Sequence, residues 1–136
     1  MAEKTVVRTE AAPAPFKGAP YSQAIRAGDF VFVAGQVGFR PEDSSLVGAT
    51  VEEQTEQTIA NLRAILEAAG SSLDRIVKTT VYLATLDDFQ GMNQVYRRHV
   101  GEAPPARATV AAGLPTGVLV EIEAIALAEG PGNKVS

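Results

Sequence analysis

The sequence contains no cysteine, no tryptophan and a single histidine among its 136 residues. The absence of cysteine excludes disulfides, thiolate nucleophiles and metal sites with sulfur ligands. One histidine cannot build a histidine-rich metal site or a Ser/His/Asp triad of ordinary spacing. The composition therefore predicts a protein without a metal site and without thiol chemistry.

Long apolar runs and an excess of basic residues are also missing. No run reaches membrane-spanning length, and the first ten residues lack the apolar segment of a signal peptide, so we expect a soluble cytoplasmic protein with no membrane partner. The formal net charge of −4 is unfavourable for nucleic-acid binding. The one basic cluster, Arg97, Arg98 and His99, indicates a helix end, where we expect His99 to be solvated.

The length and the hydrophobic content of 46% predict a single domain over residues 1–136. We expect disordered tails at 1–4 and 129–136. Short β-branched and apolar runs predict strands at 5–9, 24–27, 30–34 and 76–84, and two more follow Pro105. The segment Thr50-Val51-Glu52-Glu53 fits a capping box at the start of a helix that Gly70 ends. Asp87 or Asp88 is expected to cap a second helix, which ends at Gly101 and Pro104.

Two charged residues stand out in the last two predicted strands. Arg107 lies among small residues after a Pro-Pro pair. In the second run, period-2 alternation places Glu121 and Glu123 on a face that is apolar at both ends. A carboxylate there is costly unless it is paired, hydrogen-bonded or wetted by a pocket. The pattern alone favours a structural salt bridge or an exposed edge over a functional site, and a plain hairpin would set Arg107 opposite Glu121.

Several motifs together make the chain recognisable. The run PPARATV is followed by LP and VEIEAIA, and it is preceded by PYSQAI, AGQ and VKTTVYLATLDDFQGMNQVY. In this order and spacing, over residues 5–128, they resemble the RidA (YjgF/YER057c/UK114) family. One departure is that the chain is one residue shorter between Arg107 and Leu114 than the form we expect, so strand pairing near 111–113 is expected to differ.

The resemblance implies an α+β, chorismate-mutase-like fold with a single mixed six-stranded sheet and two helices on one face. In that fold the last strand inserts between earlier strands, so Arg107 and Glu121 would not be direct neighbours. The family also implies a homotrimer with inter-subunit sites, in which the uncovered sheet faces turn inward.

The implied activity is the hydrolytic deamination of reactive enamines and imines, such as 2-iminobutanoate and 2-iminopropanoate, to 2-oxo acids and ammonia without a cofactor. Arg107 would bind the substrate carboxylate through two hydrogen bonds. Glu121 would orient the water or carry a proton, with a pKa raised by its apolar face. The remaining substrate-binding residues implied by the family match are Tyr21, Gly35, Asn93 and Thr109. Each also has a plain structural reading: a packed ring, a β-bulge, a surface amide and a strand residue.

Two other functions remain open at this point. The same arginine would serve a protein that binds or senses 2-oxo acids without turnover. An RNA-cleaving activity is also attached to the family's name, although one histidine and an acidic balance are poor support for it.

Overall fold

The computed structural model describes residues 3–129, and its element order is the predicted one: three strands, a helix, a strand, a helix and two strands. The elements are β1 (Lys4–Val7), β2 (Ala24–Ala27), β3 (Phe30–Gln36), α1 (Val51–Ala68), β4 (Ile76–Leu83), α2 (Phe89–Val100), β5 (Ala106–Ala111) and β6 (Val120–Leu127).

Both predicted tails extend too far into the fold. Lys4 begins β1 and pairs with Ala27, so it is not part of a disordered tail. At the other end, Arg26 donates a hydrogen bond to the carbonyl of Glu129, and Arg75 Nε lies 3.7 Å from Glu129 Oε2. These contacts fix the position of Glu129. The remaining residues of the predicted tails, 1–2 and 130–136, lie outside the described residues.

A single sheet with strand order β1-β2-β3-β6-β4-β5 forms one layer. β6 lies between β3 and β4 and is antiparallel to both, whereas β4 and β5 are parallel. The plain hairpin of the last two strands therefore does not form, and the inserted last strand is confirmed. Along β5 the ladder is regular from Ala106 to Ala111, and Ala112 N donates to Leu83 O at 2.9 Å.

One face of this sheet carries both helices and holds the core. The alternation in β6 is confirmed, because Val120, Ile122, Ala124 and Ala126 are buried against the helical layer. The opposite face has no covering layer within residues 3–129. It exposes large apolar side chains, including Phe30 at 39% and Phe32 at 44%. Exposed apolar area of this kind commonly marks an interaction surface.

The sequence signals that predict where each helix begins and ends are confirmed for α1 and partly confirmed for α2. Thr50 and Glu53 form the predicted capping box, and Gly70 has the positive φ of a helix stop. Before α2, Thr85 Oγ1 accepts from Asp87 N at 3.2 Å, and Asp88 makes no capping hydrogen bond with its side chain. The prediction of an aspartate cap was therefore wrong in its chemistry, because the hydroxyl caps the short 3-10 turn that precedes the helix. No helix within residues 3–129 combines the length and hydrophobicity needed to cross a membrane.

Candidate active site

Arg107 projects from β5 toward α2, and neutral groups hold it there. Its Nη1 donates a 2.7 Å hydrogen bond to Asn93 Oδ1. Its guanidinium carbon lies 4.8 Å from the centre of the Tyr96 ring and 5.6 Å from that of Phe89. These contacts orient the planar guanidinium without using its charge in an ion pair.

The surroundings of Arg107 are themselves anchored. Tyr96 is buried, and its hydroxyl lies 2.7 Å from the Thr79 hydroxyl. Thr79 is the residue opposite Arg107 in the parallel β4·β5 ladder. Thr109 is two positions further along β5 on the same face, and its buried Oγ1 has no hydrogen-bond partner among residues 3–129. We call Asn93, Arg107 and Thr109 the arginine half-site.

Glu121 lies on β6 with the opposite orientation. Its neighbours Val120 and Ile122 are fully buried toward the helices, so alternation directs Glu121 to the uncovered face. Across the ladder β3 contains a β-bulge, in which Ala34 and Gly35 stand opposite one residue of β6, between the pairs Val33↔Ala124 and Gln36↔Ile122. The bulge brings Gly35 against the Glu121 side chain.

Gly35 is required by this close approach. A Cβ built at Gly35 would lie 2.8 Å from Glu121 Cδ and 3.0 Å from Glu121 Cγ, and it would overlap the carboxylate oxygen. Both readings of this glycine, a β-bulge and a pocket residue, therefore apply. Any side chain here would force the carboxylate to move.

A cavity of about 340 Å³ opens beside Glu121 and contains Tyr21 and Gly35 in its wall. Tyr21 accepts a 2.7 Å hydrogen bond from Phe16 N, which leaves its hydroxyl proton for another acceptor. The apolar part of the wall includes Phe16 and Phe39, whose rings stack with centres 5.8 Å apart. We call Tyr21, Gly35 and Glu121 the glutamate half-site.

The carboxyl group of Glu121 is half-buried. Burial raises its pKa, and the negative charge of Glu123 raises the pKa further. Both effects disfavour the carboxylate relative to the protonated acid. Glu121 therefore retains its proton to a higher pH than an ordinary glutamate does.

The six predicted site residues thus form two groups that do not meet in one chain. Arg107 points to the helical face and Glu121 to the uncovered face, with β4 between their strands. Within residues 3–129 neither Arg107 nor Glu121 forms a salt bridge, so the structural salt bridge that the pattern alone favoured does not form in one chain.

Sequence reasoning missed several residues of both halves. Phe89 and Tyr96 have the spacing of residues on one helix face, but this spacing gives no sign that they stack on an arginine of another element. Phe16 and Phe39 line the cavity from loops, where periodicity carries no information. The stacking of loop residues depends on the tertiary fold, so no sequence signal was available for these two.

The expectation of a solvated His99 was wrong. Its Nε2 lies 2.8 Å from Glu56 Oε2, and its Nδ1 lies 3.4 Å from Arg63 Nη2. α1 provides both partners, so the histidine joins the two helices. Within residues 3–129, no three His, Cys, Asp or Glu side chains are grouped so that they could hold a metal ion.

Comparisons with known proteins agree with this fold. A family model described as Endoribonuclease L-PSP matches residues 9–128. The chain is 51% identical over 127 residues to a RutC family protein of Pyrococcus abyssi, and the aligned region covers 93% of this chain and 98% of the relative. It is 43% identical over 129 residues to the 2-iminobutanoate/2-iminopropanoate deaminase of Mus musculus, which covers 94% and 93%. The solved structure of E. coli TdcF with bound serine aligns with a TM-score of 0.84 at 35% identity and covers 92% of this chain and 99% of TdcF.

These matches extend over nearly the whole described chain and over nearly all of each relative. The fold they share is the six-stranded sheet with two helices described above. The chain belongs to the RidA family.

Proposed function

We propose that this protein is a hydrolytic deaminase that converts imines of the 2-iminobutanoate and 2-iminopropanoate class to 2-oxo acids and ammonia. The observation that carries the proposal is that neutral partners orient Arg107 and that Glu121, with a raised pKa, borders a cavity. An arginine without an ion-pair partner can bind the carboxylate of an imino acid, and a carboxyl group with a raised pKa is suited to exchange protons with its nitrogen. The name of the mouse relative, at 43% identity, supports the same reaction.

The chemistry needs little more than placement and one proton. An imine carbon is electrophilic, so water adds to it when both are held in the right geometry. Arg107 binds the substrate carboxylate through two parallel N–H donors. Glu121 gives its proton to the imine nitrogen and takes one back from the added water, which leaves a carbinolamine. A second transfer through Glu121 then carries the hydroxyl proton to the amine nitrogen, so ammonia leaves as the carbonyl forms. The Tyr21 hydroxyl and Thr109 Oγ1 offer further hydrogen bonds to the ligand or to the water.

The two half-sites have to belong to different chains for this reaction. We propose a homotrimer in which the arginine half-site of one subunit faces the glutamate half-site of the next. Support comes from the orientation of Arg107 and Glu121 to opposite faces, and from the exposed apolar side chains of the uncovered face. A closed ring gives each of three clefts one half from each neighbour.

Mixing two inactive variants tests this arrangement. Arg107→Ala and Glu121→Gln are each expected to lose turnover of 2-iminobutanoate generated in situ by a threonine dehydratase. After the subunits are unfolded together and reassembled in equal amounts, about a quarter of the clefts combine two intact halves, because each cleft draws on two chains. Recovery of about that fraction of activity is expected. If both groups acted within one chain, no mixed assembly would regain activity.

Two controls accompany the experiment. Light scattering of each variant and of the mixture should give the mass of a trimer, and a monomer at micromolar concentration contradicts the shared cleft. Each variant reassembled with itself should stay inactive, which excludes repair by the unfolding step.

Binding without turnover is the second candidate, and the serine bound to TdcF favours it, since that ligand carries an amino acid carboxylate. The same assay separates the two, because a binding protein would leave the rate of imine decay unchanged. RNA cleavage, which the description of the family model suggests, is less favoured. The single histidine is engaged with Glu56 and Arg63, and the chain carries a net charge of −4.

A further inference from the structure

A second carboxylate and a tyrosine lie beside Glu121, and the proposed reaction does not use either of them. Glu123 is two residues further along β6 and is directed to the same face. Tyr82 stands directly opposite Glu121 in the β4·β6 ladder. Its hydroxyl donates a 3.2 Å hydrogen bond to Glu123 Oε1. The three acidic groups thus form a compact cluster on the uncovered face.

This arrangement fixes the position of the Glu123 charge. Directly opposed residues in an antiparallel pair have Cβ atoms about 5 Å apart, and diagonal neighbours are about 7 Å apart. The Tyr82 side chain, which starts opposite Glu121, therefore reaches diagonally to Glu123, and its hydroxyl holds the second carboxylate on the sheet. Without this bond the flexible Glu123 side chain would be free to turn toward solvent.

We propose that Glu123 and Tyr82 are positioning residues that keep the proton on Glu121, with Glu123 supplying the negative charge and Tyr82 holding that charge in place. The inference rests on the proposed function, in which Glu121 is the proton donor. It assigns the second glutamate of the VEIEAIA run a role in the reaction, distinct from that of a solvated strand residue.

Within one chain, the other charged groups near this face do not offset the effect, whereas in the proposed trimer Arg107 of the neighbouring subunit favours the carboxylate and the Glu123 charge opposes it. Tyr82 itself approaches Glu121 from β4, and Tyr21 approaches it across the cavity. The residues that β3 contributes to the cavity wall, Ala34 to Gln36, are uncharged. Lys78 lies on the same face of β4 but opposite Ile125, beyond Thr80 and Tyr82. The raised pKa of Glu121, caused by burial first and by Glu123 second, agrees with this placement.

The test is the pH profile of kcat/KM for 2-iminobutanoate in the trimeric parent and in Glu123→Gln. The amide keeps an oxygen that can accept from Tyr82 but removes the charge. Since the proton donor is needed in its protonated form, the alkaline limb of the profile reports its pKa. We expect this limb to move to lower pH by on the order of one unit, as expected for one charge at such a distance. The acidic plateau should stay within about twofold of the parent.

Two further variants distinguish a charge effect from a packing effect. Glu123→Asp keeps the charge and should shift the alkaline limb less than Glu123→Gln does. Tyr82→Phe releases the carboxylate and should produce a smaller shift in the same direction. Glu67→Gln removes an equal charge from an exposed position of α1, on the other side of the sheet, and should leave the profile unchanged.

The outcomes separate this inference from the proposed function. An unchanged alkaline limb in Glu123→Gln, while Glu121→Gln is inactive, overturns the positioning role and leaves the deaminase proposal standing. Turnover at the parental rate in Glu121→Gln overturns both. If Glu123→Gln does not assemble, Tyr82→Phe decides the question, with Glu123→Asp as the control that keeps the charge, and an unshifted profile in Tyr82→Phe rejects the role.

Discussion

The arginine and glutamate half-sites differ in how the fold prepares each charged group. Arg107 is clamped between Asn93 and aromatic rings on the packed side of the sheet, and its charge stays unpaired among residues 3–129. Glu121 lies on the uncovered side, where burial and Glu123 oppose its ionisation. One half therefore offers a fixed cation and the other a carboxyl group with a raised pKa. Within residues 3–129, therefore, neither group is neutralised by an ion pair.

The largest expected effect comes from removing the acidic group of Glu121. Glu121→Gln keeps the shape of the side chain but cannot donate or accept the proton, so we expect kcat to fall by about 10²–10⁴-fold with ligand affinity nearly unchanged. Steady-state rates of imine decay and binding of an unreactive 2-oxo acid measure the two quantities. Glu67→Gln is the matched control for lost charge, and a parental kcat in Glu121→Gln would remove this residue from the chemistry.

The next prediction concerns Arg107 and asks whether a positive charge is sufficient there or whether the planar guanidinium is required. Arg107→Lys keeps the charge but loses the forked donors and the stacking on Tyr96 and Phe89. A displacement of the substrate by about 1 Å costs on the order of a hundredfold in rate. We expect a loss of that size in a variant that is trimeric with an unchanged Tm. Activity within a few-fold of the parent would reject the carboxylate clamp.

A smaller effect is expected at the contact between the bulge and Glu121. Gly35→Ala places a methyl group where the carboxylate lies, so the acid must move and overpacking costs about 1–3 kcal/mol of stability. We expect a rate loss of about tenfold, less than that of Glu121→Gln, because the proton remains but is displaced. Gly113→Ala is the control, since a Cβ there meets nothing within 4 Å. Equal rates in Gly35→Ala and the parent would show that the carboxylate position is not critical.

The smallest effect concerns stability as a function of pH. The pKa of Glu121 is raised in the folded protein, so the native state binds this proton more strongly than the unfolded state does. The contribution of this proton to the free energy of unfolding is fully present below the pKa that Glu121 has in the unfolded state. It is lost as pH rises through the pKa of Glu121 in the folded state. We expect Glu121→Gln to lose less stability than the parent between about pH 4 and about pH 7. Urea midpoints at both pH values measure this, and parallel changes in the two proteins would contradict the shift.

The sequence predicted the layers of this fold better than the geometry of its site. The alternation around Glu121, the Thr50 capping box and the order of elements are local patterns, and all three are confirmed. Placing β6 between β3 and β4 required the family resemblance, because local periodicity equally allowed a hairpin that pairs Arg107 with Glu121. The separation of the two half-sites by sheet face follows from the strand order, so no local pattern contains it.

His99 and Glu123 show two different limits of sequence reasoning. The contact of His99 with Glu56 depends on how two helices pack, and the basic neighbours of His99 suggested solvent instead. Glu123 was visible in the alternation beside Glu121. Its contact with Tyr82 depends on the register of β4 against β6, which an 8-residue strand does not reveal by itself.

The position of β6 has a consequence for how this protein acquires its shape. β6 is the last strand of the described chain, and it makes the ladders on both of its sides. Until it docks, β1, β2 and β3 have no backbone hydrogen bonds to β4 and β5, so the sheet exists as two separate pieces. Such long-range pairing is slow compared with helix formation. A nascent chain therefore cannot close its sheet, or place Glu121 beside Gly35, until residues 120–127 have left the ribosome, and a product truncated before them would be left with open strand edges, which promote aggregation.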